Sequence, residues 1–187
     1  MRCHAKSTDE ELWEGCLRRH PLAQRYLYER YFGQLLGIAM RYTSDREEAI
    51  GVLNQGFLKI FTNVAPYKAK GSFVGWMAKI VFHTAIDHVR SRVIYRRAMD
   101  YESSAEGYTL NEGLEKLQVE DIFHFHLIQH LPPATRAVFS LYAIDGYKHA
   151  EIAEMLGIDE STSKWHLVQA RQRLQAHLQQ LYEYSST

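Results

Sequence analysis

An all-α fold, in which two small helical domains are joined by an acidic flexible linker, is what this sequence predicts. Apolar residues recur at helical spacing through most of the chain, and only 4 of the 187 residues are proline. Leu, Ala, Glu, Arg and Gln are abundant, and these are good helix formers. The 46% hydrophobic content suffices for one large or two small cores.

The first predicted domain covers residues 1–95. Thr8 and Glu11 have the spacing of a capping box at the start of a helix. Helices are expected at Asp9–Arg19, at Leu22–Tyr42, from Thr43 or Ser44 to Phe61, and at Phe73–Arg92. The positions expected to face the core are Leu22, Leu27, Tyr31, Leu35, Ile38, Ala39, Tyr42, Ala49, Val52, Leu53, Phe57, Ile60, Phe61, Trp76, Ile80, Ala85 and Ile86.

Residues 96–119 have the composition of a linker, because they are acidic and contain Gly107, Gly113 and a Ser-Ser-Ala-Glu-Gly stretch. The second predicted domain is 120–187. Its helices are expected at about Glu120–His130, which Leu131-Pro132-Pro133 ends, and at Ala134–Asp145, which Gly146 ends.

The stretch Tyr147–Arg173 predicts two short helices around a tight turn. The first is Lys148–Leu156, and Gly157 can adopt a positive φ in the turn. One of three residues caps the second helix, namely Asp159, Glu160 or Ser161. One face of that helix, which is expected to run to about Tyr184, carries Ser163, Leu167, Ala170 and Leu174. This layout is typical of a helix-turn-helix, whose second helix enters the DNA major groove, and the alternative is an ordinary helical hairpin.

The charge of the chain is segregated, although its formal net charge is zero. Residues 59–97 contain eight Lys or Arg against one acid, and residues 98–121 contain seven acids against one Lys. Because local fields act on an approaching polyanion more than the sum does, this distribution is compatible with nucleic-acid binding.

Two cysteines, Cys3 and Cys16, make neither a disulfide framework nor a zinc knuckle, and they suit a reducing compartment. The N-terminus lacks the pattern of a signal peptide, and no apolar run reaches membrane-spanning length. We therefore expect a cytoplasmic protein without membrane insertion.

The loop 66–72 and the helix after it combine cations with aromatic rings. Tyr67, Phe73 and Trp76 are candidates for stacking on unpaired bases. For Phe73 and Trp76, taken alone, core packing is favoured, whereas Tyr67 lies in a polar loop and is better placed to touch a ligand. Candidate phosphate contacts come from Lys68 and Lys70 in the loop and, on the polar side of the helix, from Lys79, His83, His88, Arg90 and Arg92.

In the second helix of the helix-turn-helix, Lys164, Trp165, Val168 and Gln169 are expected opposite the buried face. Trp165 is suited to a thymine methyl or the sugar backbone, and Gln169 to adenine. Arg171 and Arg173 are suited to phosphates.

An enzyme has no support in the residues. His124, His126 and His130 include an i, i+4 pair that can hold a metal, but no third ligand of the right kind lies nearby and packing or surface roles are favoured. No Gly-rich phosphate loop and no Ser-His-Asp or Cys-His set is present. We expect no catalytic residue, no metal site and no cofactor.

Three runs in a fixed order give the chain a family resemblance. They are LYERYFGQLLGIAMRYTSDREEAIGVLNQGFLKIF, GSFVGWMAKIVFHTAIDHVRSR and LPPATRAVFSLYAIDGYKHAEIAEMLGIDESTSKWHLVQARQRL. Together they closely resemble the extracytoplasmic-function (ECF) sigma factors of bacterial RNA polymerase, within the sigma-70 family. The resemblance covers about residues 20–95 and 120–178, and GFLKIF and TSKWHL resemble the Bacteroidetes branch.

The resemblance implies a promoter-specificity subunit that is monomeric when free. Its partners would be core RNA polymerase, through the β′ clamp helices and the β flap, and promoter DNA, and an anti-sigma factor is a further candidate partner. The helix Asp45–Thr62 would dock on the clamp helices through Glu47, Asn54, Gln55, Phe57 and Leu58. The −10 element would be melted and read by Tyr67, Lys68, Lys70, Ser72, Phe73, Trp76, Lys79, His83 and Arg90. The −35 element would be read by Lys148, His149, Thr162, Lys164, Trp165, His166, Val168, Gln169, Arg171 and Arg173.

The chain departs from the usual family pattern at several of these positions. Acids are usual where Ile50, Gly51 and Gln55 stand, glutamine where Asn54 stands, and asparagine where His83 stands. Trp165 and His166 replace smaller polar residues, so the −35 sequence cannot be transferred from relatives. The alternative function is a sigma-derived DNA-binding or protein-binding regulator that has lost normal docking on core polymerase.

Overall fold

The computed structural model describes residues 4, 6–62, 67, 72–99 and 127–185, and within them the side chains outside 93–99 and 181–185. These residues form helices and the turns between them, with no strand among them. The all-α prediction is therefore confirmed. The chain divides into two compact units, one of Met1–Met40 with Arg46–Ala85, the other of Arg41–Asp45 with Ile86–Thr187. The predicted boundaries at 95 and 120 stay predictions, since residues 100–126 lie outside the described part.

The first unit begins with helix α1, Asp9–Leu17. Its capping box forms as predicted: the Glu11 backbone N–H donates to Thr8 Oγ1 at 3.3 Å, and the Thr8 N–H donates to a Glu11 carboxylate oxygen at 2.9 Å. Asp9 fixes α1 to the next helix, because its two carboxylate oxygens accept from Arg30 Nη1 at 2.8 Å and from the Tyr31 hydroxyl at 2.5 Å. Burial and this hydrogen bond raise the pKa of Tyr31 to about 12.

Helix α2 spans Pro21–Met40, and helix α3 spans Arg46–Thr62. Because α3 begins at Arg46, the capping position falls at Asp45 rather than at the predicted Thr43 or Ser44. Most of the predicted apolar stripe of α2 is buried. Two positions are not buried: Leu22 is 45% exposed in the first turn of the helix, and Ile38 is half-buried.

Helix α4 spans Phe73–Met99 and so continues seven residues beyond the predicted end at Arg92. The prediction of its inward face was partly wrong. Trp76 and Ile80 are only half-buried. The buried stripe lies one residue later along the helix and consists of Phe73, Met77, Val81, Thr84, Ala85, Ile86 and Val89.

The second unit contains helix α5, Pro133–Phe139, which continues as a π-helical turn over Ser140–Ile144. Gly146 then has a φ of +77°, as expected for the residue that ends this segment. Helix α6 spans His149–Leu156 and helix α7 spans Glu160–Ser185. In the predicted helix Glu120–His130, residues 127–129 are described and helical.

A fully buried arginine organises this unit. The guanidinium of Arg136 donates to the Gln129 side-chain oxygen at 2.6 Å, to the Gln129 carbonyl at 3.0 Å and to the Leu131 carbonyl at 2.9 Å. It also donates to the carbonyl of Thr43, in the short segment Arg41–Asp45. In the same segment, Arg41 forms an ion pair with Asp145 at 2.9 Å.

Candidate nucleic-acid and polymerase interfaces

One side of helix α3 faces solvent and carries most of the predicted docking residues. Asn54 and Gln55 are exposed, and Leu58 has 64% of its surface exposed, the largest fraction among the exposed large apolar side chains. Glu47 is exposed about two turns before Asn54. The Tyr28 hydroxyl donates to Asn54 Oδ1 at 2.9 Å and fixes that amide. The middle of this face is therefore uncharged and carries one protruding apolar side chain.

Phe57 lies on the opposite side of α3. Its side chain is 2% exposed, and its ring packs 4.6 Å from that of Tyr28 and 5.7 Å from that of Phe61. A buried ring cannot touch a partner, so its part in docking is limited to supporting the exposed face.

The ring of Tyr67 forms a cluster with three other aromatic rings of the first unit. The Tyr67 ring centroid lies 5.0 Å from Phe73, 5.5 Å from Trp76 and 5.8 Å from Trp13. Phe73 and Trp76 stack nearly parallel, at 14° and 5.8 Å. Phe73 is buried, whereas the other three rings are only half-buried. The cluster thus combines a buried ring with three rings that retain accessible surface.

The helix after this cluster carries further predicted contacts. Ser72 caps the start of α4, since its hydroxyl accepts from the Gly75 N–H at 3.1 Å and its carbonyl from the Trp76 N–H at 3.0 Å. Lys79 follows Trp76 by three residues and His83 follows it by seven, so both share its side of the helix, and both are exposed. Arg90 is exposed further along α4. Lys68 and Lys70 lie outside the described residues.

The helix-turn-helix forms as the sequence predicts. Gly157 has a φ of +66°, and the Ile158 N–H donates to the Ala153 carbonyl at 3.0 Å, which satisfies an otherwise unpaired group at the end of α6. Ile152 and Leu156 of α6 and Leu167 and Ala170 of α7 are buried, each at most 5% exposed. Helix α7 begins at Glu160, which places Asp159 at the capping position.

The outward face of α7 bears two large apolar side chains. Trp165 is 56% exposed and Val168 is 50% exposed. Lys164 is exposed and pairs with Glu160 of the preceding turn at 2.7 Å, which lowers the pKa of Glu160. The remaining predicted contacts on this side are exposed or half-buried, namely Lys148, Thr162, Gln169, Arg171 and Arg173.

Two histidines predicted to contact DNA make hydrogen bonds to residues of neighbouring helices. His149 Nδ1 lies 2.9 Å from Ser163 Oγ, and His166 Nδ1 lies 3.0 Å from Thr135 Oγ1. Burial lowers the pKa of His166, which favours its neutral form. Both rings are half-buried, so we assign them to positioning α7.

Two further residues gave little sign of their importance in the sequence. Arg136 is fully buried in the second unit, three residues after the Pro132-Pro133 pair, and no pattern marked it as a core residue. Trp13 joins the Tyr67 cluster from a helix to which no function was assigned, and no spacing rule connects the two positions.

The histidine hypothesis receives no support from the geometry. His130 stacks against His177 with ring centroids 4.2 Å apart, while His124 and His126 lie outside the described residues. Within the described part of the chain, no three His, Cys, Asp or Glu side chains come together as metal ligands would.

Comparison with known proteins identifies both units. The family model described as Sigma-70 region 2 matches residues 27–93, and that described as Sigma-70, region 4 matches residues 126–174. The chain is similar to the RNA polymerase sigma-H factor of Pseudomonas aeruginosa, 26% identical, with 92% of this chain and 95% of that protein covered. It is also similar to the ECF RNA polymerase sigma-E factor of Haemophilus influenzae, 22% identical over 93% of this chain and 97% of that protein.

Two solved structures also align with most of the chain. A sigma factor RpoE from Bartonella quintana, in complex with the anti-sigma factor NepR, aligns at 18% identity and a TM-score of 0.46, covering 83% of this chain and 96% of that one. CnrH in complex with the cytosolic domain of CnrY aligns at 19% identity and a TM-score of 0.45, covering 91% and 97%.

No described helix combines the length and the hydropathy that crossing a membrane requires. Regions 2 and 4 follow each other in the order that the three sequence runs have, and the relatives match nearly end to end. The chain therefore belongs to the ECF sigma factors of the sigma-70 family, and it is a promoter-specificity subunit of bacterial RNA polymerase.

Proposed function

We propose that three surfaces of this chain divide the work of initiation. The exposed face of α3 docks on the β′ clamp helices, the Tyr67 cluster with α4 holds the unpaired −10 strand, and α7 reads the −35 duplex. The observation that carries this assignment is the pair of exposed apolar residues on α7, Trp165 and Val168. Burying Leu167 and Ala170 leaves those two side chains facing outward on the helix that a helix-turn-helix places in the major groove.

The chain itself breaks no bond in this scheme. Stacking of unpaired bases on aromatic rings contributes about 1–3 kcal/mol per base and so offsets the cost of opening a few base pairs. RNA synthesis belongs to the polymerase, so we propose a non-enzymatic subunit. Because its substrate is the promoter, it acts in the cytoplasm. An anti-sigma factor is a further predicted partner that rests on the family resemblance.

Docking by α3 is supported by exposure rather than by charge. The middle of the face contains Gly51, Asn54 and Gln55, none of which is charged, and Lys59 is an exposed charge beside Leu58. We therefore expect apolar contact through Leu58 to supply more of the affinity than ion pairs do. This would make binding to core polymerase less sensitive to salt than a charged face would.

The test is a pull-down of core polymerase by the full chain, followed by run-off transcription on the DNA that the complex retains. Leu58→Asp should weaken core binding about tenfold or more, because it places a charge in an apolar contact. Leu22→Asp is the matched control, since Leu22 is also an exposed leucine in a helix of the same unit, 45% accessible.

If the two substitutions weakened core binding equally, α3 would not be the docking surface. If the unmodified chain retained DNA but never core polymerase at low salt, the alternative function, a sigma-derived regulator, would replace the docking assignment.

A further inference from the structure

The N-terminal helix contributes one ring to the aromatic cluster that the proposed function uses. Trp13 of α1 meets Tyr67 edge-on, with an interplanar angle of 81°. The buried face of α1 is formed by Leu12, Gly15 and Cys16. Trp13 lies beside that face and is half-buried, so it extends toward the cluster while keeping part of its surface accessible.

We propose that Trp13 is a specificity-determining residue for the −10 strand. Its ring, together with those of Tyr67 and Trp76, forms the accessible surface on which one unpaired base stacks. The inference rests on the proposed function of this cluster and adds a residue from a helix outside the matched region 2, which begins at residue 27.

The attachment of α1 explains how a residue so early in the chain is held in place. The Thr8–Glu11 capping box fixes the first turn, and the Asp9 carboxylate binds both Arg30 and Tyr31 of α2. Arg30 Nη2 also donates to the Ser7 carbonyl at 2.5 Å. A ring on such a helix is preorganised, so ordering it costs little when a base arrives.

Charge determines which part of a nucleotide Trp13 can meet. Two exposed acids, Glu10 and Glu14, flank Trp13 on α1. Arg18 Nη2 lies 3.9 Å from a carboxylate oxygen of Glu14, but the turn around Trp13 is acidic overall. Such a surface repels phosphates, whereas exposed Lys79 lies one turn after Trp76 on α4 and attracts them. The strand would thus run with its phosphates toward Lys79 and one base toward the rings.

The experiment uses the full chain assembled with core polymerase and a promoter fragment that this holoenzyme selects from a randomised DNA pool. The fragment is prepared as a full duplex and with its −10 segment left unpaired. 2-Aminopurine replaces one −10 base at a time, because stacking quenches its fluorescence.

Trp13→Leu fills the same space without an aromatic face, and Trp13→Phe restores a smaller face. We expect Trp13→Leu to weaken binding of the unpaired fragment about tenfold, which corresponds to about 1.4 kcal/mol, and to relieve quenching at one −10 position. Trp13→Phe should recover most of both losses. Affinity for core polymerase should not change, and Leu17→Ala, at an exposed position of the same helix, should resemble the unmodified chain.

Tyr67→Ala separates this inference from the proposed function. If Tyr67→Ala weakens binding while Trp13→Leu does not, the role of Trp13 is overturned and the −10 assignment stands. If neither has an effect, the −10 assignment itself fails. Should Trp13→Leu lower the melting temperature, photoreactive benzoylphenylalanine in place of Trp13 gives an independent readout. Benzoylphenylalanine at position 13 should crosslink to the −10 strand, whereas the same substitution of Leu17 should not. If the residue at position 13 failed to crosslink, the inference would be overturned.

Discussion

At the scale of single residues, Trp165 is the one that we expect to determine most strongly which −35 sequence this chain reads. Its exposure means that removing the ring should leave folding intact. We expect Trp165→Ala to weaken binding of the −35 duplex about tenfold, within the roughly 1–3 kcal/mol of one specific base contact.

Replacing each −35 thymine by uracil tests whether a thymine methyl is the contact. If so, one such replacement weakens binding by the unmodified chain and has no further effect on Trp165→Ala, since both changes remove the same contact. Independent, additive losses measured by a mobility shift would assign Trp165 to the backbone instead.

Arg136 is a second single residue whose substitution should have a large effect, in this case on the stability of the fold. Its substitution by Met fills a similar volume and leaves the carbonyls of Gln129 and Leu131 without their donor. We expect the free energy of unfolding to fall by about 2–4 kcal/mol, because buried unpaired acceptors are costly. Urea denaturation measures this, with Arg136→Lys as the variant that keeps a charge but loses the forked geometry. If the urea midpoint of Arg136→Met were unchanged, packing without these hydrogen bonds would be sufficient to stabilise the second unit.

Among the elements, α3 and α4 approach each other closely at one glycine. A Cβ added to Gly56 would lie 2.9 Å from Val81 Cγ2, which is too close for an ordinary contact. Gly56→Ala should therefore destabilise the first unit by about 1–3 kcal/mol despite the better helix propensity of alanine.

Gly51 provides the control on the same helix. Nothing lies within 4 Å of a Cβ added there, so Gly51→Ala should stabilise the chain by up to about 1 kcal/mol. Thermal unfolding of the two variants should shift in opposite directions. A stabilising effect of Gly56→Ala would mean that Val81 and its backbone yield easily.

At the scale of the whole molecule, the proposed function requires two weak readers joined in one chain. Tethering raises the local concentration of the second reader and commonly strengthens binding by a factor of about 10²–10⁴. Cutting an engineered protease site in the predicted linker 96–119 should therefore weaken holoenzyme binding to a promoter with both elements by at least about 10². A fragment with only one promoter element should be bound almost as tightly as before the cut. If affinity for both fragments fell equally, tethering would be contradicted.

Sequence patterns alone determined the helices, their order and the family. Helical periodicity predicted α1, α2 and α3 to within about two residues at most ends, and Gly157 and the Thr8–Glu11 pair formed the local structures expected of them. These features depend on interactions within a few residues, which a sequence shows directly.

The tertiary structure decided which residues of each pattern face solvent. A shift of one position on α4 exposed part of Trp76 and buried Met77, and periodicity cannot resolve such a shift when both neighbours are apolar. Packing also turned His149 and His166 toward other helices and brought Trp13 to Tyr67 across 54 positions of sequence. Contacts between distant segments depend on how whole helices pack, so only the folded chain revealed the aromatic surface and the buried arginine of the second unit.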